Sequence, residues 1–395
     1  MAPASVAIVG AGIGGLTTAL ALSARGHAVT LIERRTAFSE AGAGIQLSPN
    51  ASRVLIDLGL GPALQRAAGE PRRVTIRALS DARVIGQVAL GEVMRQRFAA
   101  PYYVIHRADL QTILLDAVRA RADIRLLVGR RAISIESSPD QATVTTESAG
   151  GAYETVQADL VVGADGLRSL ARAALGDRRQ PVYRGVAAWR ATIPHDDAPA
   201  ALAADETGLW LGRVGHVVHY PVAGGRLLNI VALQRRPEIV DGWSAPGRRE
   251  ELLELFARAA PVVQRLLAVP QDWALWSLFD LPVRRMASAR LALLGDAAHP
   301  VLPFLAQGGA LAIEDAAVLA AALAHNPDDL PTALAFYAAA RRRRARRVQA
   351  HARRNGAVFH ASGLVALVRD RVIRRLGPDG MAERYAWIYG WTPPG

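Results

Sequence analysis

The stretch Ala4-Ser5-Val6-Ala7-Ile8-Val9-Gly10-Ala11-Gly12-Ile13-Gly14-Gly15, running on to Arg34, decides the fold. Val6 to Val9 is an apolar run of strand length. Gly10, Gly12 and Gly15 then fit the pattern G-x-G-x-x-G. Leu16 to Arg25 has the character of a helix and is closed by Gly26. Ala28 to Ile32 is a second strand, ending on Glu33. Each glycine has a physical task. Gly10 permits a tight turn, Gly12 lets backbone approach a pyrophosphate, and Gly15 lets the helix pack on the strand. The helix N-terminus offers free N–H groups and partial positive charge to the phosphates. Glu33 stands about 20 residues on, where a carboxylate accepts hydroxyl hydrogens from an adenosine ribose. The glycines alone are weak. Strand before, helix after and acid at this distance make them a dinucleotide-binding βαβ unit.

The chain has 395 residues, enough for two domains or one large composite one. It is 51% hydrophobic and 21% charged, so it buries a sizeable core. No apolar run reaches the roughly 18 residues of a membrane span. The glycine motif interrupts the first apolar stretch, so no signal peptide is read and a cytoplasmic protein is expected. There is no cysteine, which excludes disulfides, thiolate metal sites and a cysteine nucleophile. No metal site is assigned. The net charge is +12, and all 47 basic residues are arginine. A lysine Schiff base and a P-loop lysine are thereby excluded. The arginines are spread along the chain. Their densest cluster, Arg341 to Arg347 on a late helix, reads as a solvated or interface-lining face rather than a nucleic-acid site. A homodimer is compatible with this and not required by it.

Further along, Gly42-Ala43-Gly44-Ile45-Gln46-Leu47-Ser48-Pro49-Asn50 is a loop of small residues. It leads into a helix, Ala51 to Leu58, capped by Gly59. Two short strands are expected within Val74 to Gln87, and an amphipathic helix from Ala108 to Arg121. Strands follow at 124–128, 132–137 and 143–147. A second compact signal runs Asp159-Leu160-Val161-Val162-Gly163-Ala164-Asp165-Gly166. Alternating segments 209–213, 216–221 and 227–233 suggest an antiparallel sheet, followed by one helical stretch, 248–267. A third signal, Leu291-Ala292-Leu293-Leu294-Gly295-Asp296-Ala297-Ala298-His299-Pro300, leads through Ala306-Gln307-Gly308-Gly309-Ala310 into a helix. The remainder, 331–376, is mostly helical.

These three signals in this order resemble the flavoprotein aromatic hydroxylases, the single-component FAD monooxygenases. The likeness covers nearly the whole chain. Within that family the chain looks closest to the salicylate, 3-hydroxybenzoate and 6-hydroxynicotinate hydroxylases. The segments Gly44 to Ala51, His106 to Leu110, His216 to Pro221, Leu305 to Gly308 and Arg384 to Gly390 carry the closer match. The resemblance implies an α/β fold. A Rossmann-type FAD-binding domain (1–72, 101–181 and 276–330) would hold an inserted, mainly antiparallel β-sheet substrate domain (73–100 and 182–275). A C-terminal helical region, 331–395, would follow.

The cofactor contacts it implies begin with Gly10, Gly12, Ile13, Gly14 and Gly15 at the pyrophosphate, and Glu33 and Arg34 at the adenosine. Arg107 would reach the phosphates, Ala132 would touch adenine through its backbone, and Asp165 would link flavin and nicotinamide sites. Asp296 would bond the ribityl chain. Gln46 would lie near the flavin, and the backbone of Ala306, Gln307, Gly308, Gly309 and Ala310 would face its pyrimidine side. NADH or NADPH would reduce the FAD. O2 would then form a C4a-hydroperoxyflavin that hydroxylates an electron-rich ring.

Activation of a phenol calls for a base titrating near neutral pH. His216 and Tyr220, four apart on a strand, share a face, with His219 on the other. The resemblance makes His216 the base and Tyr220 its companion at the substrate, while His219 and His299 read as structural. Gln46 stands where the hydroxynicotinate branch has histidine. Pro303 stands where the 3-hydroxybenzoate branch has a polar residue. The expected substrate is therefore a salicylate-like hydroxybenzoate, with a hydroxypyridine, a purine or a larger aromatic as alternatives. Arg190 or Arg213 would take its carboxylate. From other classes, a halogenase lacks its lysine here. A plain dehydrogenase or a non-hydroxylating flavin-binding protein leaves the second and third signals, or the His216–Tyr220 face, unexplained.

Overall fold

The computed structural model describes residues 4–38, 44–240 and 244–394. The Val6–Val9 run becomes β1 (Ser5–Val9), the second strand β2 (Ala28–Glu33), and the helix between them α1 (Ile13–Ser23). Both strands are mostly apolar because the sheet that holds them is covered on both faces. That sheet has six strands, in the order β18 (Ala287–Ser288), β19 (Leu291–Leu293), β11 (Leu160–Gly163), β1, β2, β7 (Ile124–Val128). All neighbours are parallel except the edge pair β18–β19. The three sequence signals are thus three parallel strands side by side. Gly10, Glu33, Gly163 and Gly295 all fall at one carboxyl edge, where such sheets bind ligands.

A small antiparallel sheet, β10 (Tyr153–Ala158), β9 (Ala142–Ser148), β8 (Arg130–Ser137), leans on this one. The strand at 153–158 was not expected from the sequence. A two-stranded sheet pairs β3 (Gly44–Leu47) with β6 (Tyr103–His106). The expected Gly42–Asn50 loop is therefore partly strand; its Gly42 and Ala43 lie outside the described residues.

The second large sheet has eight strands. Their order is β16 (Ala245–Gly247), β17 (Trp273–Asp280), β12 (Val182–Pro194), β15 (Leu227–Arg235), β14 (Gly215–Val222), β13 (Glu206–Leu211), β4 (Arg73–Ala78), β5 (Val84–Ala89). It is antiparallel except between β13 and β4.

The remaining helices are α2 (Pro49–Leu55), α3 (Gly61–Ala67), α4 (Glu92–Phe98), α5 (Arg107–Arg119), α6 (Leu170–Ala174), α7 (Arg249–Leu255) and α8 (Pro261–Ala268). Then come α9 (Gly308–His325), α10 (Leu330–Phe359), α11 (Gly363–Arg384) and α12 (Ala386–Tyr389). The single helix expected over 248–267 is two. Pro261 has no N–H to continue the first and instead opens the second. The helix expected to run to Leu58 ends at Leu55, in an irregular turn where Gly59 takes φ 86°.

Helix α9 has the length and mean hydropathy, 1.3, of a membrane span, yet 72% of it is buried inside the protein. It is a core helix, packed between α1, α2 and α10. At its centre lie Glu314 and Asp315, both fully buried. Here the reading of Arg341 to Arg347 as a solvated or interface-lining face holds for the exposed Arg342, Arg343, Arg346 and Arg347 and is corrected for Arg341 and Arg344. Arg341 is itself fully buried. Its Nε donates to Asp315 Oδ1 at 2.6 Å and its Nη2 meets Glu314 Oε2 at 2.8 Å. Arg344 pairs with Glu314 at 2.7 Å. Burial alone would raise the Asp315 pKa, but His299 and Arg341 beside it outweigh that and hold it at about 2.

Removing one partner of a buried ion cluster leaves the others charged and unpaired. Arg341→Met should therefore cost about 3–5 kcal/mol of stability, read as a lower midpoint in urea unfolding. Because the folded pKa of Asp315 is depressed, its contribution is full above the ordinary value of 3.8 and is lost as pH falls toward about 2. Acid should therefore narrow the gap between variant and wild type over that window. An unchanged midpoint would show that this cluster does not clamp α9 to α10.

Candidate active site

The nucleotide half of the site follows from the first βαβ unit. Gly10 has φ 105°, and a Cβ there would lie 2.4 Å from the Ala164 carbonyl oxygen. A Cβ on Gly15 would lie 1.8 Å from the Gly10 oxygen, so α1 packs this closely only with glycine. Gly12, at the N-cap of α1, has open space where its Cβ would stand. Ile13 and Gly14 begin the helix, which presents its unbonded N–H groups to that space. Glu33 is buried at the end of β2. Its carboxylate accepts from the Ala11 and Arg35 N–H groups, each at 2.9 Å. Arg34 beside it is exposed, and Ala132 sits at the bulge of β8.

The flavin half gathers at the other end of the carboxyl edge. Asp296 is accessible, yet it lies deep enough that burial raises its pKa, with His299, Arg107 and Arg172 acting the other way. Arg107 opens α5. Asp165 gives one oxygen to the Ala171 N–H of α6 at 3.0 Å, while its buried Oδ1 has no partner among the described residues. The Asp165 loop and the Gly295 turn are tied by Arg172, which donates to the carbonyls of Leu167 at 2.7 Å and Ala297 at 2.9 Å. Ala306 takes φ 53° and turns the chain into α9, which starts at Gly308 and Gly309 with Ala310 buried behind them. The Gln307 side chain is fully used: it donates to Ser48 Oγ at 2.9 Å and accepts from Asn50 at 3.0 Å. Only backbone faces the cleft from this stretch. Gln46, on β3, accepts from the Tyr102 hydroxyl at 2.6 Å.

The eight-stranded sheet forms the opposite wall. Strand alternation sends one set of side chains toward α7 and α8: Trp189, Trp210, Val217, Ile230 and Ala232 share a core with Phe256 and Leu266. His219 belongs to that side, tilted against Trp210 at 6.1 Å, with burial and then Arg77 lowering its pKa to about 4. The other face carries three cross-strand rows. His216 stands opposite Leu233, and Leu233 opposite Ala188; Val218, Val231 and Arg190 form the next row; Tyr220, Asn229 and Thr192 the third. Tyr220 and Asn229 lie directly under β3. A Cβ on Gly44 would reach the Tyr220 ring at 2.5 Å, and the Gly44 N–H donates to Asn229 at 2.7 Å.

Arg190 and Arg213 separate clearly. Arg213 is exposed in the turn after β13. Arg190 is deep, its guanidinium 5.0 Å from the Trp276 ring, its Nε buried with no hydrogen bond. No carboxylate pairs with it among the described residues, and burial lowers its pKa. His216 differs from the expectation of a base titrating near neutral pH. Burial, then the neighbouring His360, lowers its pKa well below the ordinary value. His360, which sequence reasoning missed, lies 2.8 Å from His216 Nδ1, and nothing in the local sequence announces that pairing across 144 positions.

One wall thus carries glycine turns and helix N-termini, the other Arg190 without an acidic partner among the described residues and the enclosed His216. The FAD binding domain family model matches residues 3–352. The chain is 34% identical to the 3-hydroxybenzoate 6-hydroxylase of Polaromonas naphthalenivorans (strain CJ2), over 98% of this chain and 96% of that one. It is 38% identical to the 3-amino-4-hydroxybenzoate 2-monooxygenase PtmB3 of Streptomyces platensis, again over 98% and 96%. A salicylate hydroxylase solved as a substrate complex superposes with a TM-score of 0.81 at 27% identity, over 99% of this chain and 96% of that one.

The chain belongs to the FAD binding domain family, in its aromatic hydroxylase branch. It is an FAD-dependent monooxygenase that uses NADH or NADPH and O2.

If Glu33 holds the adenosine ribose, Glu33→Arg should lower the FAD content of purified protein, measured as the flavin-to-protein absorbance ratio. Full FAD content in that variant would remove Glu33 from the site. Asp296→Ala should yield folded protein largely free of FAD, because the turn that carries Asp296 is held by Asp315 instead. Insoluble Asp296→Ala protein would make the residue structural.

Proposed function

We propose that the enzyme hydroxylates a small hydroxybenzoate, salicylate-like in carrying a carboxylate and a phenol on one ring. The observation that carries this reading is Arg190, a half-buried cation whose enclosed Nε has no hydrogen bond and which has no acidic partner among the described residues, on the sheet face beside Tyr220. An unpaired buried charge is costly, and an anionic ligand offsets that cost. The relatives named above act on hydroxybenzoates, which supports the same class.

Bound FAD supplies the redox chemistry, accepting hydride and passing oxygen to the ring. The protein's part is to bind, orient and deprotonate. Arg190 takes the carboxylate. Val218 and Val231 form an apolar floor between the rows. His216, neutral because of its burial, accepts the phenolic proton at Nε2, since Nδ1 is engaged by His360. Phe304 and Phe359, with ring centroids 5.5 and 5.3 Å from that of His216, keep water from the base. The Tyr220 hydroxyl and the unpartnered Asn229 Nδ2 complete the hydrogen bonding at the far end. Asp165 and Arg107 stay with the cofactor.

Arg190→Met should raise KM for salicylate and 3-hydroxybenzoate by about 10- to 100-fold, the worth of a hydrogen bond to a charged group. FAD content should not change. An unchanged KM would place the carboxylate elsewhere. His216→Ala should slow hydroxylation by roughly 10²–10⁴-fold while sparing flavin reduction. NADH oxidation would then run into hydrogen peroxide rather than product. His219→Ala should stay coupled. The opposite pattern would mean a strand register shifted by one residue.

A further inference from the structure

We propose that His360 carries protons between His216 and solvent, so that the two histidines form a relay from the substrate to a cleft on the far side of α10. The inference rests on His216 as the base proposed above. It adds a residue from the C-terminal helices to a reaction otherwise built from strands and cofactor loops.

The geometry is that of a chain of donors and acceptors. His216 Nδ1 and His360 Nε2 are 2.8 Å apart, and both rings are almost wholly enclosed, at 2% and 6% exposure. His216 Nδ1 is the nitrogen that His360 engages, so Nε2 is the ring nitrogen left for the substrate side. His360 caps the end of α10 and lines a cleft of about 660 Å³ together with Arg213, Arg235, Ala361 and Ser362. No carboxylate lines that cleft among the described residues. The path therefore has an inner end at the sheet face and an outer end in water.

The chemistry asks for such a path. His216 is a base whose charged form is disfavoured by burial, so it holds a proton poorly and has to hand it on. Neutral imidazole does this by exchanging tautomers. The phenolic proton arrives at His216 Nε2, the Nδ1 proton passes to His360 Nε2, and the His360 Nδ1 proton leaves to water. Burial, and then Arg235, work against a charged His360 as well, which favours release into the cleft. A proton returning along the same path later in turnover restores both tautomers. No oxidant or further reactant is required.

The test uses holoenzyme in weakly buffered solution with phenol red, mixed rapidly with salicylate or 3-hydroxybenzoate. Wild type should release a proton on binding. His360→Ala and His360→Gln should release it roughly 10²–10⁴-fold more slowly, as for loss of a positioned proton-transfer group. Added imidazole should restore the rate in His360→Ala, whose cavity admits it, and leave wild type unchanged. His360→Gln keeps a hydrogen bond to His216 but cannot exchange tautomers, so a purely structural role would be rescued by Gln and not by imidazole. That result would overturn the relay, as would wild-type release rates in both variants. His216→Ala separates the two readings. If it abolishes release while the His360 variants behave as wild type, the base stands and the relay falls. If His216→Ala releases normally, the base assignment itself fails and the relay with it.

Discussion

The fold depends on two adjacent acids in the middle of an apolar helix. Glu314 and Asp315 of α9 are fully buried, and two parts of the cofactor cradle, the Gly295–His299 turn and the Ser48–Asn50 end of β3, are fastened to them. Asp315 accepts from the Gly295 N–H at 2.9 Å and meets His299 at 2.6 Å, which fixes both ends of the turn that presents Asp296. Glu314 accepts from Asn50 at 2.6 Å. Asn50 in turn bonds Ser48 and Gln307, which ties the end of β3 to the start of α9. From behind, Arg341 and Arg344 neutralise both acids. Carboxylates this deep are tolerated only when paired and hydrogen-bonded, so the arginines of α10 are a condition of the cradle's shape. The network is connected throughout, and such networks lock one arrangement rather than several.

The eight-stranded sheet turns the same constraint to chemical use. Because side chains alternate, β14 places His219 in the structural core under α7 and α8, and His216 and Tyr220 on the opposite face of the sheet. Four residues of strand separate His216 from Tyr220, about 13 Å along the backbone. They cannot attend to one substrate atom. They stand on either side of Val218 along one face of the strand, and His216 finds its hydrogen-bond partner in His360.

What was legible in the sequence was local. The βαβ unit, its glycines and Glu33 lie within about 25 residues of each other, and steric rules at Gly10 and Gly15 act between near neighbours. The register of β14 was legible because period-two alternation is a property of one segment. What was hidden depends on distance along the chain. Arg341 meets Asp315 across 26 positions and His216 meets His360 across 144, and no local pattern encodes either partner. Arg341 was misread for a further reason: it sits in a run of arginines, and a run suggests a solvated face. Helical periodicity sorts that run differently. Arg341 and Arg344, one turn apart, face α9, while Arg342 and Arg343 face water. The helix over 248–267 was misread because Pro261, a stop signal for one helix, is equally good as the first residue of the next.

A chain whose cations are all arginine offers a simple contrast between structure and function. Arg341 and Arg190 are both deep guanidiniums. Arg341 has its charge matched twice by protein carboxylates, and those pairs hold its pKa up. Arg190 has an aromatic ring, a free Nε and no acid among the described residues, and burial pulls its pKa down. The first is at rest with respect to electrostatics. The second is held in a state that only an added anion relieves. Folding free energy from the apolar core and the α9–α10 cluster is what keeps Arg190 in that unfavourable position. The carboxylate-binding role proposed for Arg190 rests on the same rule that makes Arg341 structural: a buried charge wants a partner, and at Arg190 the substrate would supply it.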